Sequence, residues 1–177
     1  MGPIDLLIIF VAVGVVGFLT YQRMAKALFS LAIMWAATMF SALLYKEVAY
    51  RIKAIAGPNT SLTEGVTFIG LFILFFVVGY VAIHAAFPVT KLPKLGFLDY
   101  VMGFLLGIIV TIVIVALFEN AVGVMVGEQW KNFSSWANMR RDFINSPLRP
   151  LSRQLLSIYR WLFVPFFRAL PPVLVPQ

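Results

Sequence analysis

The chain has 177 residues, 62% hydrophobic and 12% charged, with 14 Lys and Arg against 7 Asp and Glu for a formal charge of +7. A soluble domain carries about 25% charged residues, and so short a chain has too much surface for its volume to hide this apolar content in one water-facing fold, so lipid must cover much of it. No cysteine and a single histidine, His84, exclude disulfide frameworks, thiolate metal centres and any site that needs two imidazoles from one chain.

Four apolar runs are long enough for a hydrocarbon layer of about 30 Å, which takes about 20 helical residues. The first spans about 4–21. Asp5 stands at its start and Arg23 and Lys26 follow it, the reverse of a secretory signal's charge order, so it reads as a retained span. Tyr21 to Lys26 reads as a tight basic turn that makes the first two helices an antiparallel hairpin. The second span covers about 27–45, and Lys46 to Ile55 alternates basic and apolar residues at helical spacing, which predicts that the helix continues past the membrane. Gly57-Pro58-Asn59 is a turn signal, and Ser61 to Glu64 has the spacing of a capping box. The third span covers about 65–87. Pro88 and Pro93 then break helix in a short basic loop, and the fourth span covers about 99–118, ended by Glu119-Asn120. None of the spans has a charged residue away from its ends, and the short alternation of a transmembrane barrel is absent, so each backbone is satisfied in lipid only as a helix.

The remaining residues, 119–177, form a basic tail. A short helix is expected to end near Asn145, before Pro147 and Pro150. A second, over Leu151 to Val164, places Leu151, Leu155, Ile158 and Leu162 on one face and Arg153, Ser157 and Arg160 on another. Such a helix either lies at the headgroup boundary or packs its apolar face on the bundle or a partner. Arg153, Arg160, Trp161 and Arg168 are the candidate lipid- or partner-binding residues. The expected fold is all-α: a four-transmembrane-helix bundle with a C-terminal amphipathic interfacial helix.

Gly103 and Gly107 form a small-xxx-small pair where two helix backbones can approach; Gly14 and Gly17 are a weaker version. Asp5 and Asp99 sit near helix N-termini, where the macrodipole favours an anion. Glu119 lies at the opposite, unfavourable end and is expected to meet an arginine of the tail. His84 reads as an interfacial hydrogen-bonding residue; one imidazole also suffices to bind a single macrocycle, though no cofactor is predicted. No catalytic set, phosphate loop or metal cluster is visible. Mid-membrane charges and broken helices, the marks of coupled carriers, are absent too.

Ile4-Asp5 opening the first span, the basic turn before the second, and Gly96-Phe97-Leu98-Asp99-Tyr100-Val101-Met102-Gly103-Phe104-Leu105-Leu106-Gly107 entering the fourth resemble the colicin V production protein (CvpA) family. The resemblance covers residues 4 to about 118, with Asp5, Asp99, Gly103 and Gly107 on the family pattern and Tyr100 where arginine is common. It implies a non-enzymatic protein of the bacterial cytoplasmic (inner) membrane, linked to envelope maintenance, toxin production or secretion. The two tight basic loops and the resemblance favour both termini outside, whereas counting the six arginines of the tail would place both inside. The expected role is a scaffold that works by contacts with the lipid bilayer and other membrane proteins, not with nucleic acid; any small-molecule substrate is unknown. The competing roles are an accessory subunit of a respiratory or photosynthetic complex and an oligomeric channel or transporter.

Overall fold

The structure, a computed structural model, describes residues 3–56, 60–87, 96–129, 135–167 and 170–175. It is all-α among these residues. Helix α1 (Pro3–Ala56) is followed by α2 (Thr60–Ala86), α3 (Phe97–Met125), α4 (Trp136–Ile144) and α5 (Arg149–Tyr159), then three short 3-10 turns. Three stretches are long and apolar enough to cross a membrane: Met24–Lys53, Thr60–Ala86 and Phe97–Met125, with mean hydropathy 1.9, 2.7 and 3.0. Ile8–Tyr21 is a shorter apolar helical stretch.

The loop expected between the first two spans is not present as a loop, because α1 is helical at every residue from Pro3 to Ala56. It is nevertheless not one straight rod. Phe18 and Ile33 would lie about 22 Å apart along a straight helix. Yet the Phe18 ring packs on Tyr80 at 5.4 Å, while a methyl built on the adjacent Gly79 would come within 2.7 Å of Ile33 Cγ2. The chain therefore doubles back between them, and Met24 marks the place. A helix that starts afresh leaves its first N–H groups without carbonyl partners. The Met24 N–H instead donates to Asp99 Oδ1 at 3.0 Å, from the first turn of α3.

The contacts give the order of the rods. Lys26 meets His84 at 3.1 Å and Tyr45 meets Phe68 at 6.0 Å, so the second limb of α1 runs antiparallel to α2. Met24 lies at Asp99, and a methyl on Gly107 would come within 3.3 Å of Leu19 Cβ. Ile8 and Ala12 share a groove with Thr111 and Ala116. The first limb of α1 is therefore antiparallel to α3. Ser61 Oγ donates to the Met125 carbonyl at 3.3 Å. That pairing closes the bundle at the end opposite Asp99.

Two boundaries differ from the sequence expectation. α2 begins at Thr60, which places Ser61 and Glu64 inside the helix, where Ser61 bridges to α3 instead of capping. α3 continues through Glu119 and Asn120 to Met125. Both side chains are buried, at 3% and 6% exposure, and meet the tail, so they do not break the run. The extension of the second helix beyond Lys46 is present, to Ala56. The Gly57 turn and the basic loop at 88–95 lie outside the described residues. Gly96, which precedes α3, has φ 47°, a left-handed conformation that suits glycine.

Gly103 and Gly107 are both buried, and the backbone of Val16 lies beside Gly107. Gly14 and Gly17 face outward with open space where a methyl would go. Gly107→Leu is therefore expected to lower stability by about 1–3 kcal/mol through overpacking, while Gly14→Leu leaves it unchanged. Unfolding of the purified protein in mild detergent measures both.

Candidate interaction site: the tail against the bundle

α4 is anchored by Phe143, 7% exposed, which packs with Val122, Met125 and Val126 at the end of α3. Arg140 lies over the Trp136 ring at 5.0 Å and Arg149 over Phe143 at 4.9 Å. Pro150 then sits in the first turn of α5, where a missing N–H does no harm.

The amphipathic C-terminal helix is present as α5, but it buries a different row from the one the sequence suggests. Ser152, Leu156 and Tyr159 face the bundle, followed by Phe163 one turn on. Leu151, Ile158 and Leu162 point outward at 52%, 71% and 54% exposure, and Leu155 is half-buried. Shape explains the difference. Small Ser152 allows close approach to α3, and the two aromatics fill sites lower in the bundle. The Tyr159 hydroxyl lies 3.3 Å from Thr38 Oγ1, and Thr38 in turn donates to the Met34 carbonyl at 2.8 Å. Phe163 stacks on Trp35 at 6.0 Å, and Phe166 meets the same indole edge-on at 5.4 Å.

The chain then returns. Val173 and Leu174, both 0% exposed, belong to the main core. Asn120 Nδ2 donates to the Val173 carbonyl at 2.5 Å and the Val175 carbonyl at 3.1 Å. The segment closes a single 3-10 turn that uses the Pro171 and Pro172 carbonyls, and α3 supplies a donor for the Val173 and Val175 carbonyls. Sequence reading takes Asn120 as a helix interruption; its pairing with a segment 53 residues away leaves no local signature.

Glu119 lines a cavity of about 10 Å³, the room of a single water molecule, together with Asn120, Phe143, Arg149, Ser152 and Arg153. The structure thus brings Glu119 and two tail arginines around one small space. Arg160 is half-buried and Trp161 is 68% exposed. Arg168 and the Asp5 side chain lie outside the described residues. At the far end of the bundle Asp99 is 1% exposed. His84 is exposed, with its ring on Tyr80 at 5.9 Å. An ammonium only donates, so His84 Nδ1 accepts from Lys26, leaving Nε2 as the atom any ligand would meet. Among the described residues no group of three or more His, Asp or Glu is placed to hold a metal ion.

Residues 4–157 match the family described as Colicin V production protein. The chain belongs to that family. No curated protein matches it, and no solved structure does. The colicin V production match extends well past residue 118, where the sequence resemblance ends, and takes in α4 and most of α5. The helices that meet Glu119 and Phe143 are thus inside the family region, whereas Tyr159, Phe163 and the returning segment lie beyond it. With its apolar helices, this member of the colicin V production family is a multi-pass membrane protein.

Proposed function

We propose that the protein is a non-enzymatic scaffold of the bacterial inner membrane, with both termini outside, that acts in toxin production or envelope maintenance by holding other membrane proteins. The observation that carries this reading is the outward row of α5. A helix pinned by Leu156, Tyr159 and Phe163 shows large apolar side chains, Ile158 and Leu162, on its free face. Held on a rigid support, such a row presents a fixed apolar surface on which a helix of another membrane protein can pack. Family membership supports a role in colicin V production. The deep polar groups have structural uses: Asp99 holds the α1 reversal, Asn120 the tail, and Thr38 the Tyr159 hydroxyl.

Removing the whole tail is a poor test, because it strips Leu156, Tyr159, Phe163, Val173 and Leu174 from the core. The outward row can be changed without touching that core. Ile158→Gln with Leu162→Gln is expected to leave the bundle folded while reducing the size of the native assembly seen after mild-detergent extraction. An assembly of unchanged size would overturn the reading.

A further inference from the structure

A cavity of about 450 Å³ lies where α1 leaves its apolar run and α2 begins. Lys46, Glu47, Tyr50 and Lys53 border it from α1, and Thr60 and Glu64 from α2. Its volume is in the range of small-ligand sites, about 300–1,000 Å³. The depth of the cavity follows from the spacing of charge along α1. No charged residue stands between Lys26 and Lys46, and about 20 residues of helix rise about 30 Å, the thickness of the hydrocarbon core. Lys46 therefore marks the hydrocarbon boundary, and Lys53, two turns on, reaches beyond it through the headgroup layer. Ala49, 3% exposed, is the floor. One turn nearer the membrane, Tyr45 and Phe68, each 1% exposed, meet ring to ring at 6.0 Å. That contact closes the rods against each other, so a ligand enters from the headgroup side.

The lining carries both signs of charge. Lys46, Tyr50 and Lys53 follow one another at i, i+4 and i+7 on one stripe of α1. The flexible stems of the two lysines let both ammoniums reach one anion. Lys53 Nζ donates to Thr60 Oγ1 at 2.6 Å, which holds it at the cavity. An ammonium has two further N–H groups, and the Thr60 hydroxyl keeps its own proton to donate. Half-buried Glu64 and exposed Glu47 are acceptors only. An inorganic anion would use the lysines and be repelled by the carboxylates, and a metal ion would do the reverse. A molecule with a phosphate and a primary ammonium uses all four. On the hydrocarbon side of the cavity, apolar side chains are open to lipid. Leu43, one turn from Lys46 and Glu47, is 47% exposed, and Val66, one turn from Thr63 in the lining, is 54% exposed.

We propose that this cavity binds the headgroup of an ethanolamine phospholipid. The phosphate lies between Lys46 and Lys53, the ammonium donates to Glu47 and Glu64, and the acyl chains run along Leu43 and Val66. A choline headgroup has no N–H for the carboxylates, and a glycerol headgroup brings no cation to offset them. The inference goes beyond the scaffold reading and asks nothing of α5.

The test uses the full chain in mild-detergent micelles doped in turn with phosphatidylethanolamine, phosphatidylcholine or phosphatidylglycerol. Native mass spectrometry counts the lipid that stays bound. Phosphatidylethanolamine should be retained at one per chain and about fivefold or more in excess over either other lipid. Lys46→Gln should lower that retention about fivefold. Glu47→Gln with Glu64→Gln should remove the preference over phosphatidylcholine and keep the phosphate contact. Thermal unfolding of each variant in detergent establishes that the bundle remains intact. Lys46 and Glu47 are exposed, so their single variants decide the matter even where the Glu64 change disturbs the fold. Equal retention of the three lipids, or retention unaltered in Lys46→Gln, overturns the proposal. So does displacement of the lipid by inorganic phosphate or soluble phosphoethanolamine, which would assign the cavity to a free anion or a free phosphorylated amine.

Discussion

Phe163→Ala is expected to destabilise the protein by about 3 kcal/mol, the lower part of the range for a buried phenylalanine, since lipid rather than water lies outside the bundle. Phe163 is 0% exposed and touches Trp35, Tyr159 and Phe167 at ring distances of 6.0, 5.0 and 6.5 Å. Its removal leaves a hole beneath the 3-10 turns that neither the α1 rod nor a proline-bounded segment can close. Leu162→Ala, the next residue and 54% exposed, serves as the control and should change stability by less than about 0.5 kcal/mol. Unfolding by a denaturing detergent, followed by tryptophan fluorescence, measures both. Equal losses at the two positions would mean that the tail is not seated on Trp35 as described.

The second large effect is expected at Asp99. Its carboxylate accepts the Met24 N–H at the point where α1 doubles back. Bonds to charged groups contribute about 1.5–3 kcal/mol, and Asp99→Leu also leaves the half-buried Met24 N–H without this acceptor. A loss of about 2–3 kcal/mol is therefore expected, with Asp99→Asn retaining part of the stability through its side-chain carbonyl. Amide hydrogen exchange gives a local readout, since Met24 should lose protection in Asp99→Leu before the middle of α3 does. Unchanged exchange at Met24 would show that this bond does not hold the reversal.

The apolar rods were legible because lipid imposes a plain rule, a long uncharged run that closes its own hydrogen bonds. Even so, the rods differ from their outlines. The basic stretch at Tyr21–Lys26 predicts a turn, and the chain does turn there, but by joining two helical limbs directly with Asp99 supplying the missing acceptor. That bond links residues 75 positions apart, so no local pattern announces it. Helical spacing in the tail picks out Leu151, Leu155, Ile158 and Leu162, yet the bundle buries Ser152, Leu156, Tyr159 and Phe163. Hydrophobicity alone does not separate two adjacent rows when one offers aromatic rings and a small contact residue to a waiting groove. The glycines show the same limit. Spacing singles out Gly14 and Gly17, which face open space, and passes over Gly65 and Gly79. A methyl on Gly65 would come within 3.0 Å of the Ala121 carbonyl oxygen, and one on Gly79 would strike Ile33.

The return of the chain to Asn120 has a bearing on biogenesis. Half of α3 waits for Leu156, Tyr159, Phe163, Val173 and Leu174 to complete its surroundings, and the ribosome makes these residues after every span. Insertion and packing of the tail are thus separable: the rods can cross the bilayer first, and the Val173–Val175 segment can seat beside them afterwards. A membrane protease able to grip an unseated tail would have, in that interval, a direct means of discarding unfinished copies.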